Sequence, residues 1–325
     1  MGFLYEGMNL GNIIALILFI GVLLLINEMT RKSKTLSIIV YCILPFVLAG
    51  LVVFGPLGSP TGNTWFGWVK VVSALTGVIG FMAIRYTKLG DKKFAWYFPL
   101  TILALNITEA VYREFQVFAT YKTLVVDEGG VLVLGGPWNI LNGIAGILTI
   151  VTLTGFVGIK VSKDRSRDMI WPDMTWMYVV GYTLWNYAYV YNCISTRSMY
   201  AGFGILIAAI IAEYFFKRGA WLQHRAQILS LYVMFSLSVD FQASSYFSIL
   251  PTYSRGSLMT VSIVSFAFNV GVFAYMIYTM RKYKVNPYTQ EIYSHTQAYK
   301  KTLKANNLEE KKENKKRRKD LPISS

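Results

Sequence analysis

The 325-residue sequence is poor in the groups that soluble enzymes rely on. It has two cysteines and two histidines, and only 15% of its residues are charged. Cys42, Cys193, His224 and His295 show no metal-ligand spacing, which argues against a zinc site and against a Cys/His catalytic pair. Cys42 falls inside one apolar run and Cys193 near the end of another, so a disulfide between them is not expected. No Gly-x-Ser-x-Gly elbow is present either, so the sequence suggests neither an enzyme nor a cofactor. Acids are scarce beside bases, 17 against 32, which gives a formal net charge of +15. A soluble domain of this length is ordinarily richer in charge.

Apolar residues, by contrast, make up 54% of the chain and come in long runs. Asn12 to Ile26 and Ser37 to Phe54 contain no charge at all. A helix needs about 20 such residues to cross a bilayer. The alternating segments of about 10 residues that mark a membrane β-barrel are missing. The expectation is an all-α, polytopic transmembrane helix bundle of nine spans. These run over 8–28, 35–55, 66–85, 94–117, 137–159, 174–193, 199–216, 227–248 and 257–280. They make up a membrane domain over 1–283, and a polar basic tail follows over 284–325. The leading segment, Met1 to Leu10, carries Glu6 and no base, unlike a secretory signal.

The basic residues sort by side. Those after odd-numbered spans, from Arg31 to Arg225, together with the tail account for 27 of the 32. The other side and its flanks hold Lys70, Arg113, Lys122, Arg197 and Arg255. The positive-inside rule then puts the N-terminus outside and the C-terminus in the cytoplasm. Topology thus accounts for the net charge, and nucleic acid is not an expected partner. The run KKENKKRRKD over 311–320 is read as a solvated tail, and its bases Lys311–Lys319 offer a patch for anionic inner-leaflet lipid.

Ionisable groups inside spans are costly and usually face a bundle interior or a watery cavity. Asn106, Glu109, Arg113 and Gln116 share an arc of about 80° on span four, with Glu109 and Arg113 spaced for an ion pair within the helix. Glu114 points about 100° away from Arg113, towards the outer boundary. Other spans add Lys70, Asn139 and Asn142, then Asn186 and Tyr189, then Asp240 and Asn269. Most of these lie in the outer half of the expected topology. They suggest a polar cavity reached from outside and lined by Lys70, Asn106, Glu109, Arg113, Asn139, Asn142, Asn186, Tyr189, Asp240 and Asn269. The competing reading for each asparagine is hydrogen-bonded glue between helices.

The stretches NITEAVYREFQV (106–117), GGPWNILNGIAGIL (135–148), SKDRSRDMIWPD (162–173), LWNYAYVYNC (184–193) and KRGAWLQHRAQ (217–227) resemble a family of bacterial multi-pass membrane proteins. That family is catalogued as a domain of unknown function, and the resemblance covers roughly residues 8–300. It implies a bacterial inner, or plasma, membrane and brings no assigned site. On the residues alone, the leading expectation is a transporter or permease for a small polar solute, coupled to protons or sodium through Glu109 and Asp240. The alternatives are a receptor that signals through the cytoplasmic tail and a non-catalytic membrane scaffold.

Overall fold

The computed structural model describes residues 2–127 and 129–309 and, for Trp65 and Phe66, the backbone alone. The expected lipid contact at Lys311–Lys319 lies outside the described residues. Ten helices account for most of them. They are α1 (Leu10–Lys32), α2 (Lys34–Val53), α3 (Trp65–Tyr86), α4 (Tyr97–Thr120) and α5 (Pro137–Val151), followed by α6 (Trp176–Cys193), α7 (Ser195–Phe216), α8 (Trp221–Ser238), α9 (Arg255–Tyr283) and α10 (Gln297–Ala305).

Local sequence sets the helix starts. Asn9 caps α1 and exchanges hydrogen bonds with Asn12, while Thr64 and Ser254 cap α3 and α9. Pro137 opens α5 at the first turn, where its missing N–H costs nothing. Pro45 sits within α2 and has no N–H to offer Tyr41, and the preceding turn, Ile39–Ile43, loosens to π geometry.

Helices α1, α2, α3, α4, α7 and α9 are each long and apolar enough to cross a membrane. Their outward faces carry exposed Ile17, Leu18, Leu25, Phe46, Val53 and Ile263. The interior, in contrast, holds buried Glu114, Asn139, Asn142, Asn192 and Asn269. A polar inside and a greasy outside are what a bilayer solvent selects. Most residues of α6 and α8 are buried, and these two helices run through the centre of the bundle. Gly143 and Gly146 let α5 approach α4 and α6 closely, since a Cβ at either would strike Phe115, or Val111 and Trp185.

The connections gather at two ends. Arg31, Arg85, Asp168 and Lys217, from the ends of α1 and α3 and the connections on either side of α6 and α7, meet at one end. At the other, strand Tyr5–Glu6 pairs antiparallel with Leu250–Pro251. There too Gly58 N–H donates to Ser238 at 2.9 Å, and Tyr253 hydroxyl donates to the Asn192 carbonyl at 2.6 Å.

Two helices end earlier than their apolar runs suggest. Helix α5 stops at Val151, and Gly155 then turns the chain at φ 61°. Helix α8 stops at Ser238 because Ser59 hydroxyl and Gly58 N–H take up the carbonyls of Ser236 and Ser238. It also starts earlier than expected, at Trp221. The segment after α9 is not a free tail over its described length. Ile292 and Tyr293 are buried against Met276, and α10 docks through Asn306, which donates to the Arg218 carbonyl at 2.8 Å.

Candidate functional site

Helices α3 and α4 touch at one end of the bundle, where Phe81 and Phe98 meet edge to face with ring centroids 5.9 Å apart. Between them and α6, α7 and α8 lies a cavity of about 790 Å³. Its wall runs from Gly67 to Phe81 on α3, from Ile102 to Gln116 on α4 and from Leu222 to Ser236 on α8. Each stretch holds 15 residues, whose 14 helical steps rise about 21 Å, against a hydrocarbon core of about 30 Å. Exposed Asn63 and Gln116 mark its mouth.

Six residues of the expected lining are on this wall: Lys70, Asn106, Glu109, Arg113, Asn186 and Tyr189. Their pairing differs from expectation. Glu109 does not pair with Arg113 along the helix. It bridges instead to Lys70 on α3, with Nζ and Oε2 2.8 Å apart. Arg113 reaches Asp127 in the following loop, Nη2 to Oδ2 2.5 Å, and Asp127 Oδ1 also accepts the N–H groups of Gly129 and Val131. Each cation thus finds a carboxylate on another segment, which ties α3 to α4 and the loop to α4.

The other four residues lie elsewhere. Asn139 and Asn142 are fully buried between helices and donate to Glu114, at 2.6 and 2.7 Å. Glu114 is not at a boundary: it is 0% exposed, and Asn192 and Cys193 also donate to it, both at 3.3 Å. The side-chain oxygens of Asn139 and Asn142 accept from Gly136 N–H and Ser265 hydroxyl, which leaves their amide groups free to donate to the carboxylate. Asn269 bonds the Gly181 carbonyl at 3.0 Å and Thr149 at 3.1 Å, as glue between α9, α6 and α5. Asp240 is exposed in the turn after α8, because that helix ends two residues before it.

One wall residue that the sequence reading placed in a loop is Arg225. The early start of α8 carries it into the bundle, where it is 5% exposed and donates to Asn186 Oδ1 at 3.2 Å. Its guanidinium carbon lies 5.9 Å from the Tyr182 ring centroid. Arg197, whose Nη2 donates to the Gly129 carbonyl at 3.2 Å, also lines the cavity.

A charge cluster lies beyond the opposite end of the wall, past Phe81 and Leu222. Asp168, 0% exposed, pairs with Arg31 at 2.7 Å and with Arg85 at 3.4 Å and accepts from Gln223 at 2.8 Å. Arg85 also donates to the Arg31 carbonyl at 2.6 Å. Lys217 pairs with Asp164 in the same loop.

Residues 6–305 match a family of unknown function, DUF5692. The chain belongs to it. No curated protein and no solved structure matches the chain. The DUF5692 unit runs from the N-terminal strand through the end of α10, so it takes in the docked segment after α9 as well as the cavity and the charge cluster.

Proposed function

We propose that this DUF5692 member is a membrane transporter for a small polar solute. In this reading it crosses the bilayer nine times, with the N-terminus outside and the C-terminus in the cytoplasm. The observation that carries the proposal is a cavity whose wall runs about 21 Å along the helices, with exposed residues at one end and a buried charge cluster beyond the other. One-sided access to a polar site is one half of an alternating-access cycle. The other half would part Asp168 from Arg31 and Arg85 and close the mouth. The orientation draws support from Arg31, Arg85 and Lys217, which share one end as the positive-inside rule requires of cytoplasmic loops.

Within the cavity, Glu109 is the coupling acid, because protonation or sodium binding there would release Lys70. Asn106, Asn186 and Tyr189 orient the solute. Asp240, exposed in its turn, has no part in the cycle. No catalytic role is assigned to any residue.

The test is uptake into proteoliposomes from a panel of small solutes, with and without proton and sodium gradients. Glu109→Gln should abolish gradient-driven uptake while the protein stays monodisperse. Unchanged uptake by Glu109→Gln would remove the coupling role. Solute binding with no flux under any gradient would favour the receptor reading instead.

A further inference from the structure

We infer that the solute of this cavity is an organic anion with an apolar body, its charged group held by Arg225. This rests on the reading of the cavity as a solute site and names the class of solute.

The argument starts from one side chain. Arg225 is 5% exposed and on the cavity wall. Its Nη2 is engaged by Asn186, while Nε and Nη1, which between them carry most of its N–H donors, are buried with no partner among the described residues. A guanidinium keeps its proton in a protein, so this group cannot relieve its burial by neutralising. A buried charge with no counter-charge is expensive. The carboxylates on the described wall are committed elsewhere, Glu109 to Lys70 and Asp127 to Arg113. Four described cations therefore share the wall with two carboxylates. A role limited to holding Asn186 would use a single nitrogen of the guanidinium.

The wall also offers neutral donors. The hydroxyls of Tyr189 and Tyr232 are buried without partners among the described residues, so each is available to a polar atom elsewhere on a bound solute. The rest of the wall near α8 is apolar, with Leu222, Leu229, Val233 and Ile205. A space of about 790 Å³ is far larger than an inorganic anion fills and is the size of ordinary small-molecule sites. Carboxylates and phosphate monoesters share the required chemistry, because a guanidinium binds both through paired N–H groups.

The test uses the full-length protein in nanodiscs with phenylacetate, phenyl phosphate, phenethyl alcohol, phenethylamine and acetate. Thermal stabilisation and equilibrium binding are read for each. Phenylacetate or phenyl phosphate should bind, and whichever is tighter identifies the oxyanion. The alcohol, the amine and acetate should not bind at the same concentrations. Arg225→Gln should weaken anion binding roughly 10- to 100-fold, as expected for the loss of charge-assisted hydrogen bonds. Arg225→Lys keeps the charge but loses the paired geometry, and it should bind more weakly than wild type. That variant carries the test if Arg225→Gln does not fold. The inference is overturned if the amine or the alcohol binds as well as the anions, if acetate matches phenylacetate, or if Arg225→Lys binds as wild type does. Flux is measured separately. Arg225-dependent anion binding without flux would overturn the transporter and leave this inference standing. Flux of a neutral or cationic solute without anion binding would do the reverse.

Discussion

Glu109 and Glu114 are five residues apart on α4 and serve opposite sides of it. Glu109 faces the cavity and Lys70, whereas Glu114 is sunk against α5 and α6 among four donors. Replacing each carboxyl by an amide should therefore have different effects. Glu114→Gln turns an amide NH2 towards donors such as the Asn139 and Asn142 amides, and it should cost about 3 kcal/mol, read as a clear drop in unfolding temperature. Glu109→Gln loses a partly exposed pair and should cost about 1 kcal/mol or less. A thermal melt of both variants decides, and equal losses would erase the distinction. The shared face of Asn106, Glu109 and Arg113 was legible in the sequence because helical periodicity fixes which side chains of one helix point together. Their partners Lys70 and Asp127 were not, because pairing across segments depends on how segments pack. Arg225 was hidden by an ordinary rule, since a base near the edge of an apolar run reads as a loop residue.

At the scale of elements, nine apolar runs were enough to find the helices α1 to α9, and their ends were the weak point. Hydropathy cannot register that Gly155 turns the chain after α5, or that a serine from a distant loop finishes α8. Nor can it show that the polar stretch from Trp221 to Gln227 is helical, because that helix is held by buried contacts and not by an apolar face. The segment after α9 was read as tail for the same reason, although Asp173 fastens it. Asp173 accepts the N–H groups of Ile292 and Tyr293, at 3.3 and 2.8 Å, and the Thr154 hydroxyl at 2.9 Å. Burial raises its pKa to about 6, and these hydrogen bonds offset part of that rise. The folded state thus holds a proton that the unfolded chain, with an aspartate near 3.9, has already released. The stability tied to that proton is complete below about pH 4 and is lost as pH rises through about 6. Between those values wild type should lose more unfolding temperature than Asp173→Asn. An equal slope in the two proteins would show that Asp173 is not the titrating group.

For the whole molecule, the Asp168 cluster joins α1, α3 and α8 to the loop before α6, so it is a structural clamp, and in the proposed cycle it is also the closure of one end. Asp168→Asn leaves Arg85 without a carboxylate, while Arg31 keeps its ion pair with Glu28, and should cost about 3 kcal/mol. In the fraction that stays folded, a cysteine replacing Leu222 in a cysteine-free background should react faster with an impermeant maleimide added on the side of the Asp168 cluster. An unchanged rate would mean that the cluster does not close the cavity. The helical membrane class and the presence of polar groups inside were legible from composition. The split of those groups between a cavity wall and a buried seam was not, because it is settled by which helices become neighbours. The pairing of Tyr5–Glu6 with Leu250–Pro251 bears on synthesis as well. The arm leaves the ribosome about 245 residues before its partner does, a wait of roughly 10–50 s at ordinary translation rates. The first helix must therefore hold its place through the birth of seven others, and only the segment leading into α9 completes the clasp.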